Sequence, residues 1–325
     1  MEPQKDPNPN YLPYPPQSTD DEIDLRELFK ALWKGKWLII ATTFVFALGS
    51  ALYALSLPNI YKADALLAPA KSSNGGGLSQ MAGQLGGLAA FAGVNLGGNE
   101  ALQTELAVQV MKSRQFVEAF INKHDLLVPL MAAKDWDLSS NKLILDEKVY
   151  DLDNGEWLRE AKDLRGRAPT AQEAFERFTQ EVFSFEKDKE SSLYIISVNY
   201  YSPYIAQQWV NWLVEDINKV MRERAIAEAS QNLAYLNTQL QKTAVSKMQM
   251  TFYNLIEEQT KSLMLAEVQD EFVFKVVDPA VVPEIKSTPN RLILVLVPGI
   301  LGGIIVTIIL SVIHLLRKTN RNESK

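Results

Sequence analysis

Two long apolar runs near opposite ends of the chain constrain its fold more than any other feature. Trp37 to Leu57 is 21 residues without a charge, and residues 292–316 are 25 residues in which His314 is the only ionisable group. At about 1.5 Å per residue each run covers the roughly 30 Å of bilayer hydrocarbon, where a helix is the one single-segment structure that satisfies its own backbone. A buried core helix seldom runs so long without a charge on any face. A cleaved signal peptide fits the first run poorly, because the run exceeds the usual apolar region and follows the acidic residues Asp20, Asp21, Glu22 and Asp24.

Orientation follows from the cations, since Lys and Arg close to a span resist translocation. Arg26, Lys30, Lys34 and Lys36 precede the first run, and Arg317, Lys318, Arg321 and Lys325 follow the second. Arg291 is the one charge on the wrong side. The chain therefore reads as a cytoplasmic tail 1–36, a span 37–57, an α+β body 58–291 on the far side of the membrane, a span 292–316 and a cytoplasmic tail 317–325. The body holds 24 Lys and Arg against 31 Asp and Glu, a net charge of −7. Without a basic stripe, nucleic acid is not among the expected partners. The absence of cysteine removes thiolate metal sites and disulfides.

Six prolines within the first 16 residues make the tail extended and polar, and from Glu22 an amphipathic pattern (Ile23, Leu25, Leu28, Phe29, Leu32, Trp33) leads into the span. Tyr61 to Leu67 reads as a strand. Tyr194, Ile196, Val198 and Tyr200 share one face of a second, and Phe272, Phe274 and Val276 one face of a third. The first and last strands adjoin the spans, so their pairing places a small sheet beside the membrane. Nine of the 16 glycines fall in 71–99. That segment lacks the Gly-Lys-Ser/Thr ending of a phosphate-binding loop and reads as an apolar loop.

Ser202-Pro203 is a hydroxyl cap followed by proline at the first helical position. Long helices are expected over 203–268, because neither Pro nor Gly occurs between Tyr204 and Val277. Ile226, Ala229, Leu233, Leu236 and Leu240 recur at three- and four-residue steps, the seam of a coiled coil or helical hairpin, and Val245, Met248, Phe252 and Leu255 continue it. The polar stretch Gln239 to Lys247 supplies a place to reverse. A helix this long outruns one compact domain, so the seam is expected to be covered partly by the returning helix and partly by a second subunit. In the second span Gly299 and Gly303 form a Gly-x-x-x-Gly face with Gly302 beside it, and Ala47 and Ala51 offer a small-residue match in the first.

No catalytic constellation emerges, and no cofactor or metal is expected. The two histidines, His124 and His314, lack a nucleophile or ligand cluster, and His124 reads as a solvated helix end. Asp151, Asp153 and Glu156 around Gly155 lack the calcium-loop spacing and read as an exposed turn.

The stretch from Val277 through Pro279, Pro283 and Pro289 to Arg291 and Gly299 resembles the proline- and glycine-rich junction of the polysaccharide co-polymerases, the Wzz chain-length determinant family. Ile23 to Leu57, the Gly-rich loop at 75–98, and the strand entering Ser202-Pro203 with Ala206 resemble the same family; residues 100–190 add no shared motif. The resemblance implies a non-enzymatic, ring-forming homo-oligomer, octamer-like, that sets the length of an O-antigen-type polysaccharide with a membrane polymerase of the Wzy type and a lipid-linked glycan. It implies the kinase-free branch, as only nine residues follow Leu316. By the same resemblance Pro279, Pro283, Pro289, Gly299, Gly302 and Gly303 serve assembly, with Arg291 supplying the basic contact because Asn290 stands where Lys or Arg is common. An export component for capsule or exopolysaccharide is the alternative reading. A two-span sensor fits less well, since it requires a signalling module after the second span.

Overall fold

The computed structural model describes Trp33 and residues 35–70, 100–162, 164–191 and 193–323. The Gly-rich segment 71–99 and the expected amphipathic stretch Glu22 to Leu32 lie outside the described residues. The chain divides into two compact units, Pro58–Pro289 and the two ends Met1–Leu57 with Asn290–Lys325. In chain order the elements are α1 (Lys36–Ser56), β1 (Tyr61–Pro69), α2 (Glu100–Met111), α3 (Arg114–Lys123), α4 (Leu127–Ala132), β2 (Ala133–Asp137), β3 (Lys142–Leu145), β4 (Tyr150–Asp151) and β5 (Glu156–Trp157). There follow α5 (Ala171–Arg177), continuing into a π-helical turn (Phe178–Val182), then β6 (Phe183–Lys187), β7 (Tyr194–Tyr200), α6 (Pro203–Lys242), α7 (Ser246–Val268), β8 (Phe274–Asp278) and α8 (Arg291–Glu323).

The body is built on a four-stranded antiparallel sheet of order β6-β7-β1-β8. Alternation decides which face is covered. Ala63, Ala65 and Leu67 of β1 are buried with Tyr194, Ile196, Val198 and Tyr200 of β7, and Phe183 and Phe185 extend the same face into β6. The first and last strands pair as the sequence implies, with Leu67 opposite Val276. One expectation needs correction: β8 begins at Phe274, so Phe272 is not a strand residue. The amides of Val273 and Phe274 are instead taken by the Asn218 side chain, 2.8 and 2.9 Å away, which holds the chain out of the ladder until Phe274. Strand β6 was not anticipated, because five residues with two inward phenylalanines carry too short an alternation to stand out.

Helix α6 starts where the sequence places it, with the Ser202 hydroxyl accepting from the Ile205 amide. Its first half packs on β1 and β7, burying Trp209, Val210, Leu213, Ile217 and Met221 at helical spacing. Beyond Met221 the helix leaves the core. Forty residues extend about 60 Å, and the far half is paired with α7, which returns after a three-residue break at Thr243, Ala244 and Val245. The reversal falls inside the polar stretch expected to supply it. Arg222 closes the base of the hairpin, donating to Asp270 at 2.8 Å.

A second anchoring point lies in the segment joining β5 to α5. Glu173 is 8% exposed and completes a capping box with Thr170. Arg159 donates to both of its oxygens, at 2.8 and 2.7 Å, and also to the carbonyls of Gly166, Arg167 and Ala168. The Arg159 hydrogen bonds hold the Glu173 carboxyl down, from an ordinary 4.5 to about 2. A depressed folded-state pKa means stability that is fully present above pH 4.5 and lost as pH falls toward 2. Glu173→Gln is expected to be destabilised at pH 7, with its gap from the parent closing between pH 4.5 and 2. Urea unfolding across that range is the measurement, and a gap independent of pH would refute the ionic origin.

Candidate functional site

The residues singled out for assembly fall on three parts of the structure. The first is the proline-rich junction, which forms neither helix nor ladder between Pro279 and Asn290 apart from one bridge. Proline explains this, since it supplies no amide for pairing. The segment is nonetheless pinned: Gln207 donates to the Ala280 carbonyl at 2.8 Å, Lys286 reaches Asn59, and Ile60 exchanges backbone bonds with Ser287 and Thr288 at 2.8 and 2.9 Å. Pro283 and Pro289 are half-buried and Pro279 is exposed. Beside the junction, burial pushes the Tyr200 phenol well above its ordinary range, so it remains a donor to the Pro129 carbonyl at 2.7 Å.

The second part is the glycine face of α8. A Cβ on Gly299 would meet the Ala47 Cβ at 3.6 Å, one on Gly302 the Phe46 ring at 2.7 Å, and one on Gly303 the Thr43 hydroxyl at 2.9 Å. All three glycines therefore face α1 of the same chain, where missing side chains let the backbones approach. Positions descend along α1 as they ascend along α8, so the helices are antiparallel and residues 36 and 323 share one end of the pair. The sequence offered Ala47 and Ala51 as the matching face; Ala47 meets Gly299, while Gly302 and Gly303 use Phe46 and Thr43. Most other side chains on both helices are exposed, including Phe44, Val45, Ile300 and Ile304. Lys36–Ser56 and Arg291–Ile313 have mean hydropathies of 2.1 and 2.8, long and apolar enough to cross a membrane.

The third part is the seam. Ala229 and Leu236 are buried, and Ile226, Leu233 and Leu240 are half-buried within a single chain. The far half of α6 thus finds its partner in α7, and the near half in the sheet. The outward side of the hairpin carries Tyr235, Met250, Tyr253 and Met264, each at least 60% exposed.

No reacting group is assembled among the described residues. His124 is not the solvated helix end that the sequence suggests. It stacks on Trp212 with ring centroids 4.1 Å apart, and its Nε2 lies 2.9 Å from Asp216 Oδ2. The other oxygen of that buried carboxylate takes the Lys123 ammonium. This cluster ties the end of α3 to α6 and contains no nucleophile. At the β4–β5 turn Asp151 accepts from Asp153 and Asn154, and Gly155 adopts φ +69°, the left-handed conformation such a tight turn requires. Among the described residues, no group of three His, Cys, Asp or Glu side chains is placed to hold a metal.

These features define a protein with an α+β body and two terminal helices able to cross a membrane, whose notable surfaces are packing surfaces. Residues 21–124 match the family model of the chain length determinant proteins, Wzz. No curated protein sequence matches the chain. Among solved structures it is similar to a full-length bacterial polysaccharide co-polymerase, at 14% identity and a TM-score of 0.35, covering 92% of this chain and 99% of that one. A fragment of WzzB, the polysaccharide co-polymerase from Salmonella Typhimurium, aligns at 10% identity and a TM-score of 0.29, covering 70% of this chain and 99% of the fragment. Likenesses this loose carry no weight for function.

Proposed function

We propose that this chain regulates the length of an O-antigen-type polysaccharide, as a homo-oligomeric scaffold in the bacterial inner membrane that works with a Wzy-type polymerase on a lipid-linked glycan. The family match over residues 21–124 carries the reading, since it begins before the first apolar helix and runs through it into the body. The basic flanks support cytoplasmic ends and a periplasmic body, and the antiparallel α1 and α8 are compatible with both ends on one side. In this reading the protein performs no chemistry. Subunits form a ring, octamer-like by family resemblance, whose α6–α7 hairpins set the space in which polymerase and growing glycan stay together. The seam from Ile226 to Leu240 keeps each hairpin closed, and Pro279, Pro283, Pro289 and Arg291 set how the body joins its second anchor.

A seam substitution tests this. Leu236→Asp buries a charge between α6 and α7 and is expected to open the hairpin, because an unpaired carboxylate in an apolar contact costs several kcal/mol. In a deletion strain, complementation with the parent should restore a modal band on the polysaccharide ladder, whereas Leu236→Asp should leave a random distribution. Loss of all surface polymer on deletion would favour the export reading instead. An unaltered modal band with Leu236→Asp would remove the hairpin from the mechanism.

A further inference from the structure

The end of the body nearest its two membrane connections carries an aromatic and aliphatic rim. Tyr61 opens β1 and stands five residues after Ser56, so by chain length alone it lies within about 18 Å of the end of the first apolar helix. That bound holds whatever the angle between the two units. The second connection returns to the same place, because Ile60 and Thr288 are bridged, three residues before α8 begins. Around this point Trp136 of β2 packs edge-on against Tyr61, centroids 5.8 Å apart, and lies 6.1 Å from the ring of Tyr204 at the start of α6. Two residues beyond Trp136, Leu138 at the β2–β3 turn is 76% exposed, and Ile285 in the junction is 82% exposed.

That turn is rigid. Asp137 accepts from Ser139 and Ser140, and the Trp136 indole donates to Asn141 at 3.0 Å. An ordered turn that holds a leucine outward beside a tryptophan and two tyrosines has the composition favoured at a bilayer's interfacial layer, where amphipathic rings sit at the headgroups and aliphatic side chains reach the acyl boundary. The layer extends roughly 5–7 Å beyond the hydrocarbon on each side, well within the maximum reach of the connection.

We propose that the β2–β3 turn, with Trp136 and Leu138 at its head, and Ile285 in the junction rest in the lipid headgroup layer as a further membrane contact. The occupant is the lipid surface, since the rim is continuous with both membrane connections. The proposal rests on α1 and α8 spanning a bilayer, and the test separates the two claims.

The chain has no cysteine, so single spin labels can be placed on the full-length protein without ambiguity. Leu138→Cys, Ile285→Cys, Met250→Cys and Phe44→Cys would be reconstituted in vesicles of phosphatidylethanolamine and phosphatidylglycerol. Collision with oxygen, which partitions into lipid, would be compared with collision with a water-soluble nickel chelate. Met250 is an exposed residue far along the hairpin and Phe44 an exposed residue of α1, so they supply aqueous and lipid references. The oxygen-to-nickel ratio at 138 and 285 is expected to lie several-fold above that at 250 and below that at 44. A ratio at 138 equal to that at 250 overturns the lipid contact while leaving the spans standing. Low access to both reagents at 138 also overturns it, assigning the rim to a second copy of the chain. An aqueous ratio at 44 refutes the span and the proposal together.

Discussion

Asn218→Ala is expected to lower the unfolding temperature of the body by about 10 °C, corresponding to about 3–5 kcal/mol. Asn218 is 4% exposed, and its side chain makes three bonds to backbone: Nδ2 donates to the Phe274 carbonyl at 2.9 Å, and Oδ1 accepts from Val273 and Phe274 at 2.8 and 2.9 Å. Alanine leaves those groups buried without partners, and the desolvation cost of each is retained in full. The loss falls at the point where the returning chain enters the sheet beside β1, so β8 should fray with it. Asn218→Asp keeps an acceptor for the two amides but turns a carboxylate oxygen toward the Phe274 carbonyl. It should be no more stable than alanine at neutral pH and should recover as the pH falls and the carboxyl protonates. Thermal unfolding followed by near-ultraviolet circular dichroism on the full-length protein decides; an alanine variant within 2 °C of the parent would mean that water replaces the lost bonds at little cost.

Oxidation of the double variant Ala47→Cys, Gly299→Cys is expected to give a disulfide within one chain. The two Cβ positions lie 3.6 Å apart, inside the roughly 3.5–4.5 Å that a disulfide spans. Adding Gly302→Leu should slow the cross-link roughly tenfold or more, by overpacking the helix contact. Any Cβ at 302 falls 2.7 Å from Phe46 Cδ2 and 3.2 Å from Phe46 Cβ, and the second of these atoms cannot swing away when the ring rotates. Limiting the substitution to Gly302→Ala and removing the ring with Phe46→Ala leaves only the 3.2 Å Cβ contact and should recover most of the cross-linking rate. Mass analysis under non-reducing conditions reads the result. Cross-linked dimers in place of monomers would assign the glycine face to a neighbouring subunit.

Elements set by local pattern were legible before the structure. The Ser202-Pro203 start of α6, the strands at 61 and 194, the reversal near residue 243 and the two apolar helices each follow from hydropathy, period or capping chemistry within a dozen residues or so. The pairing of β1 with β8 was legible too, because both adjoin the long apolar helices. The short strands β2 to β6 were not, since two to five residues carry too little periodicity to be told from loop. His124 was misread for a related reason. Asn-Lys-His-Asp looks solvated in isolation, and only Asp216 and Trp212, about ninety residues on, bury it.

The candidate site divides along the same line. The glycine face and the seam could be recognised from the sequence as surfaces needing a close partner, with the first apolar helix and the returning helix as candidates, but not which residues meet or how much of the seam one chain covers. The structure supplies one within the chain in each case: α1 for Gly299, Gly302 and Gly303, and α7 with the sheet for α6. Asn218 gave no sequence signal and Glu173 only the Thr-x-x-Glu spacing of a capping box, because an asparagine 56 residues from the backbone it caps and a glutamate 14 residues from its arginine become recognisable as anchors only after the chain closes on itself. Hydrophobic spacing and capping are properties of neighbours along the chain, so sequence alone determined which segments form long apolar helices, which form strands and where the hairpin reverses. Which buried polar group meets which backbone depends on contacts between distant residues, and tertiary structure alone decided that.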